Sequence, residues 1–148
     1  MSLLTKLTED MKTAMRARES ERLTTVRGLL AEVKRIELDS KKSMSEEEEI
    51  QFLTTQAKRR REAMDAFAET RPELAEKEGA ELAIIEEYLP KQLSRDEAAE
   101  IVKTIIEKVG ASSKKDLGRV MGQAMKELKG RFPGGEVKAL AESLLSDS

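Results

Sequence analysis

The stretch YLPKQLS, residues 88–94, divides the chain. Proline disfavours helical backbone at the residue before it, so a helix that reaches this stretch ends before Pro90. Ser94, with a glutamate three residues later, forms a capping box that starts a new helix directly afterwards. The stretch therefore predicts a hinge between two helical domains, residues 1–89 and residues 90–148.

Outward from this stretch, apolar residues recur at spacings of three and four, the period of amphipathic helices. In the first domain the predicted helices are separated near residues 19–20, by a polar loop over 39–44, and at Pro72, which fits the first turn of a helix. In the second domain they are separated by Gly110 and by a loop over 130–135. The prediction is an all-α protein with a four-helix N-terminal domain followed by a small three-helix C-terminal domain.

The composition fits helices better than sheets. Of the 148 residues, 39% are hydrophobic, 38% are charged and 3% are aromatic. An average soluble domain carries roughly 25% charged residues. Aliphatic stripes on otherwise charged helices give such a composition, whereas a β-sandwich would need more Val, Thr and aromatic residues.

The chain contains no Cys and no His. Their absence excludes a thiolate nucleophile, a disulfide framework and a sulfur-ligated zinc site. It also removes the commonest general base and the commonest nitrogen ligand of metals. We therefore predict no catalytic, cofactor-binding or metal-ligating residues, and whether the chain supports the activity of another subunit stays open.

The sequence also carries an expectation about location. Its first residues, MSLLTK, lack a basic segment followed by a sustained apolar stretch. No apolar run approaches the ~18 residues that a membrane-spanning helix needs. These patterns predict a cytoplasmic location and no membrane partner.

Charge is distributed unevenly along the chain. Residues 1–88 hold 16 basic and 20 acidic residues, whereas residues 89–148 hold 11 basic and 9 acidic residues. Between Lys114 and Lys138 there are seven basic residues and three acidic ones. The two predicted domains therefore suit different partners.

Helix six, which Ser113 and Asp116 are predicted to open, is the most informative element. Its apolar stripe lies on one side, and Gly118 and Gly122 lie among cations on the other. Glycine inside a helix costs roughly 1 kcal/mol relative to Ala, so two glycines one turn apart indicate a close approach to the backbone. Two interpretations stay open: a phosphate backbone approaches the glycines, or another helix packs on them with the lysines at its edge.

Three segments carry a resemblance to a known family. They are YLPKQLS at 88–94, GRVMG at 118–122 and KGR at 129–131. In this order and spacing the sequence resembles the GatB/YqeY family over nearly its whole length. A larger member is the B subunit of the glutamine-dependent amidotransferase that converts misacylated Glu-tRNA or Asp-tRNA to the amidated form. The chain resembles only the helical region and the tRNA-contacting tail domain of that subunit.

The resemblance implies a tRNA-associated accessory protein related to carbon–nitrogen ligase activity with glutamine as amido-nitrogen donor, although the residues for that activity are absent. FPGG at 132–135 departs from the Ala-Asp-Gly-Lys-like run of the family, so no role is transferred to those positions. The alternative hypothesis is a module that docks on an aminoacyl-tRNA synthetase or an amidotransferase subunit without binding RNA. The predicted nucleic-acid-binding residues are Lys115, Gly118, Arg119, Gly122, Lys126, Lys129, Gly130 and Arg131.

Overall fold

The computed structural model describes residues 1–145, and these residues form helices joined by short turns. This confirms the prediction of an all-helical protein. The described residues group into two compact units, one comprising Met1–Leu89 and the other beginning at Pro90. The helices are α1 Leu3–Ala17, α2 Ser20–Ser40, α3 Glu46–Phe67 and α4 Pro72–Glu86 in the first unit, then α5 Arg95–Val109, α6 Leu117–Leu128 and α7 Gly134–Leu144 in the second.

The core of the first unit is almost entirely aliphatic. Helix α3 packs along α4, and α1 packs along α2. Leu7, Val26, Leu53 and Ile85, one from each helix, are fully buried or nearly so. Met15, in the last turn of α1, is 47% exposed and does not join this core.

Polar contacts hold the end of α4 to the first two helices. The Tyr88 hydroxyl donates a hydrogen bond to the Asp10 carboxylate on α1. The Arg22 guanidinium on α2 donates two hydrogen bonds of 2.9 Å to the Glu87 carboxylate. Burial, together with the Asp10 contact, raises the pKa of Tyr88, and the Arg22 bond lowers the pKa of Glu87 below its usual 4.5.

The helix ends follow local sequence with four exceptions, the first being that α2 continues to Ser40, into the predicted loop over 39–44. Capping boxes at Ser45 and Ser94 start α3 and α5 as predicted. Helix α4, however, ends at Glu86, four residues before the proline, because the following three amides bond to carbonyls three residues back and tighten the turn.

The other two exceptions lie in the second unit. Ser113 caps a single turn of 3-10 helix, Lys114–Asp116, so the α-helical part of helix six begins only at Leu117. The last helix begins at Gly134, inside the predicted loop, with Pro133 as its N-cap. Proline lacks the amide hydrogen that the first turn leaves unbonded, which suits it to a helix start.

The core of the second unit is formed by α5, α6 and α7, each of which packs against the other two. Val102, Val120, Leu128 and Leu140 are buried there, and Phe132 from the α6–α7 loop joins them at 8% exposure. Leucine, valine and alanine supply nearly all of this core. The small unit therefore depends on close packing of a few side chains.

Replacement of one core leucine tests this dependence. Leu128→Ala is expected to lower the free energy of unfolding of the second unit by about 2–5 kcal/mol, because it leaves a cavity in a packed core. Urea unfolding followed by far-UV circular dichroism measures the change. Gln123→Ala, an exposed change on the same helix, should shift the free energy by no more than about 0.5 kcal/mol. An equal loss in both variants would contradict the described burial.

The Arg22–Glu87 pair predicts a response to acid. The pKa of Glu87 is lower in the folded state than in the unfolded chain, so its contribution to stability is present above about pH 4.5 and is lost as the pH falls through the folded pKa. Glu87→Gln should make the first unit less sensitive to acid around pH 4.5. The measurement is the difference in urea midpoint between pH 6 and pH 3, about one and a half units either side of pH 4.5, and this difference should be smaller than in wild type. Glu21→Gln, an exposed change next to Arg22, is the control and should behave as wild type.

Candidate nucleic-acid interface

Helix α6 separates its buried and exposed residues cleanly. Val120, Ala124 and Leu128 are buried in the core of the second unit. Gly118, Gly122 and Lys126 are exposed and fall within about 80° of arc on the opposite side, at 100° per residue. We call Gly118, Gly122 and Lys126, together with the neighbouring Gln123, the α6 glycine face.

The two glycines of this face have no packing role within the described residues. A Cβ built on Gly118 or on Gly122 meets no other atom within 4 Å. Gly79 in α4 differs, because a Cβ there would lie 3.3 Å from the Met64 methyl group. Each α6 glycine therefore weakens the helix by roughly 1 kcal/mol relative to Ala with no compensating contact.

The glycine face forms the floor of an open depression of about 520 Å³. Bare backbone gives the depression its floor, and charged side chains stand at its rim. Its lining residues are Val109, Gly118, Arg119, Gly122, Gln123 and Lys126.

Arg119 is held at the rim by contacts within the second unit. Its guanidinium donates a 3.1 Å hydrogen bond to the Val109 carbonyl at the end of α5 and forms a 2.7 Å ion pair with Asp116. A hydrogen bond from the Ser112 amide, and then Arg119, lower the pKa of Asp116. Arg119 thus fixes the α5–α6 turn, whereas the exposed Lys126 forms no ion pair or hydrogen bond with any described residue.

The remaining predicted residues lie outside the depression. Lys115 is exposed in the 3-10 turn before α6, and Lys129 is exposed at the end of α6. Gly130 adopts a φ of 73°, a left-handed conformation that glycine tolerates best. The structure therefore brings four of the eight predicted residues together at the depression and leaves Lys115, Lys129, Gly130 and Arg131 apart from its lining.

Gly130 and Arg131 instead contact the second half of the dividing stretch, residues 88–94. The Gly130 carbonyl accepts a hydrogen bond from the Gln92 side chain, which also donates to the Pro90 carbonyl. The Arg131 carbonyl accepts a 2.7 Å bond from the Leu93 amide. The sequence pattern points to no binding role for Gln92, Val109 or Gln123, and only Gln92 has a signal, its position inside the dividing stretch.

Two further classes of site find no support in residues 1–145. Within that range no group of three or more acidic side chains is arranged to hold a metal ion. None of the described helices is long and apolar enough to cross a membrane.

The described residues thus form a small all-α protein with a depression of bare backbone and cations on α6. The chain belongs to the family of Yqey-like proteins, whose model matches residues 4–145. The match spans both units and, apart from Leu3 of α1, all of the helices described in residues 1–145.

Curated relatives carry the name altered inheritance of mitochondria protein 41, mitochondrial. The protein of that name from Pyrenophora tritici-repentis is 29% identical over 137 residues, covering 90% of this chain and 75% of the relative. The one from Kluyveromyces lactis is 30% identical over 147 residues, covering 95% and 76%. A shorter match, 33% over 88 residues, is to the protein from Eremothecium gossypii.

These relatives contradict the predicted cytoplasmic location, because all three are named as mitochondrial proteins. That prediction was wrong for a physical reason. Disulfide-forming cysteines are typical of secreted proteins, and long apolar segments are typical of membrane proteins. The lack of both does not distinguish a cytosolic protein from one inside a mitochondrion.

The Gln92 contacts give a prediction for the second unit. Gln92→Leu removes the donor to the Gly130 carbonyl and is expected to cost about 1 kcal/mol of local stability, the net worth of such a bond. Hydrogen exchange of the neighbouring Leu93 amide, followed by NMR, measures this as faster exchange. Gln123→Leu replaces a glutamine with no described hydrogen bond and should leave the Leu93 amide unchanged. Exchange of that amide at the wild-type rate in Gln92→Leu would show that the contact does not hold this segment.

Proposed function

We propose that this chain is an accessory protein that binds the phosphate backbone of tRNA through the α6 glycine face. The observation that carries the proposal is the open space above Gly118 and Gly122, where a Cβ would meet nothing within 4 Å. The sugar–phosphate backbone of a nucleic acid can approach a helix closely only where the side chains leave room. Two glycines one turn apart provide that room.

The charges at the depression favour an anionic ligand. Lys126 is exposed and unpaired among the described residues, and the Arg119 guanidinium lies at the same rim. Lys126 is available to a phosphate, whereas Arg119 would share its guanidinium with Asp116, and phosphate contacts supply most of the affinity for a nucleic acid. No aromatic side chain lines the depression, so the surface suits recognition of backbone and shape rather than stacking on bases.

The wider biological setting follows from resemblance. The resemblance of the sequence to the GatB/YqeY family favours a role beside a glutamine-dependent tRNA amidotransferase or an aminoacyl-tRNA synthetase. In that setting the carbon–nitrogen ligase chemistry belongs to the partner's residues, and residues 90–148 act as a tail domain that contacts tRNA. The mitochondrial names of the relatives support a mitochondrial setting for this proposed role.

Titration of labelled tRNA into the full chain tests the proposed surface. Gly122→Leu is expected to weaken binding by about tenfold or more, because its side chain fills the space that a phosphate would occupy. Lys126→Gln should reduce the slope of log affinity against log salt by about one, the contribution of one phosphate contact. Fluorescence anisotropy between about 50 and 200 mM salt measures both quantities.

Matched controls separate the surface from general effects. Gly122→Ala adds one methyl group to open space and should retain binding while raising helix stability by roughly 1 kcal/mol. Lys138→Gln, an exposed change on α7, removes the same charge outside the depression and should leave the slope unaltered. Absence of tRNA binding at low salt, or wild-type binding by Gly122→Leu, would refute the proposal.

One observation favours a second candidate function. Val109 adds an apolar wall to the depression, and a helix of another protein would pack well on glycine backbone beside it. In that case Gly122→Leu would abolish capture of a synthetase or amidotransferase subunit, and Lys126→Gln would leave the salt dependence of that capture nearly unchanged.

A further inference from the structure

The first unit carries an exposed basic surface on α2 that the proposed function does not use. On one side of this helix Val26, Leu29, Leu30 and Val33 are buried in the core. On the other side, an arc of about 120° at 100° per residue contains only exposed residues and no acid. We call this arc the α2 basic face, and it consists of Ser20, Thr24, Arg27, Gly28, Ala31, Lys34, Arg35 and Leu38.

The three cations of this face are unpaired. Arg27, Lys34 and Arg35 form no ion pair and no side-chain hydrogen bond with any of residues 1–145. Other cations of the same unit do have partners, for example Arg22 with Glu87 and Arg60 with Glu81. Other exposed cations of the unit, such as Lys6, Lys12 and Arg16, also lack partners among the described residues, so the feature of the α2 basic face is that three unpaired cations share one arc with no acid.

Acidic residues border the face without neutralising it. Glu32 accepts a 2.7 Å hydrogen bond from the buried Gln56 side chain, and Glu37 accepts a 2.9 Å bond from the Met44 amide. Asp39 lies one turn beyond Arg35 but forms no ion pair with it among the described residues. Glu32 and Glu37 are thus committed to the fold, whereas Glu21, which also borders the face, resembles Asp39 in forming no ion pair with the described residues.

Gly28 gives this face the low relief already seen on α6. A Cβ on Gly28 would meet nothing within 4 Å, so no contact within the described residues requires glycine there. Gly28 lies at one edge of the arc beside Arg35, Ala31 and Thr24 lie nearer its centre, and Arg27 and Lys34 lie at the opposite edge. Gly28 lies in the interior of a 21-residue helix, where it costs roughly 1 kcal/mol relative to Ala.

From this geometry we infer that the α2 basic face binds the backbone of an RNA duplex across its wide, shallow minor groove. A flat helix surface bordered by cations fits that groove, and the hydroxyls of Ser20 and Thr24 suit the ribose 2′-hydroxyl groups exposed there. Leu38 is the sole large apolar residue of the face, which is too little for the apolar centre of a protein interface. The face contains no aromatic side chain on which single-stranded bases stack.

The inference does not depend on the proposed function, because the two faces belong to different units of the chain. The test uses full-length protein and a labelled RNA duplex of about 16 base pairs, the span of a typical double-stranded RNA-binding domain. A DNA duplex of the same sequence is titrated in parallel. Anisotropy is recorded between about 50 and 200 mM salt.

The decisive variant is Arg27→Gln, Lys34→Gln and Arg35→Gln combined. It is expected to lower the salt slope for duplex RNA by about three, one for each lost phosphate contact. The control combines Lys6→Gln, Lys12→Gln and Arg16→Gln, exposed cations of α1 that change the net charge equally. Its slope should remain within about one of wild type. An equal loss in both triple variants would overturn the inference, because it would show a general effect of net charge.

A steric variant tests the same face without changing charge. Gly28→Leu has room in the free protein, so we expect unchanged or higher thermal stability together with about tenfold weaker RNA binding. Wild-type RNA affinity in Gly28→Leu, no binding of duplex RNA by the wild-type chain, or equal affinity for the DNA duplex would each overturn the inference. Loss of binding in Gly122→Leu but not in the α2 variants would support the α6 proposal alone, and the reverse would support the α2 face alone.

Discussion

The burial of aliphatic stripes is the constraint on which the rest of this protein depends. Each helix has one side of leucine, isoleucine, valine, methionine and alanine, and the remaining circumference is left to charge. Aliphatic side chains bring no directional contacts, so orientation depends on a few polar bonds at helix ends. Tyr88 with Asp10 does this in the first unit, and Gln92 with Gly130 does it in the second.

Because the core is aliphatic and the surface is largely charged, an exposed glycine is an informative feature of this protein. Most exposed positions carry a charged side chain, so a glycine on an outer face stands out against its neighbours. Gly28 in the first unit and Gly118 with Gly122 in the second all open to solvent, and unpaired cations lie nearby. The same arrangement thus occurs twice on unrelated helices, which favours a shared kind of ligand with a smooth, anionic outline.

Local chemistry made much of the fold predictable, and long-range contacts set the limit. Capping boxes at Ser45 and Ser94 involve residues three apart, so the sequence reveals them directly. Ser113 looked like another helix start, but a cap also serves a 3-10 turn, and the two cannot be distinguished by a side chain alone. The placement of Gly118 and Gly122 opposite the core followed from periodicity. The Gln92–Gly130 contact joins residues 38 apart and is visible only in the folded chain.

The position of Tyr88 has an optical consequence. It is the single tyrosine, and the chain has no tryptophan, so ultraviolet emission excited above the phenylalanine band comes from this one residue in the first unit. A phenol that donates a hydrogen bond to a carboxylate is strongly quenched in the excited state, since the carboxylate accepts its proton. Release of the Tyr88 hydroxyl from Asp10 would therefore increase the tyrosine fluorescence. That fluorescence reports on the junction of α1, α2 and the end of α4.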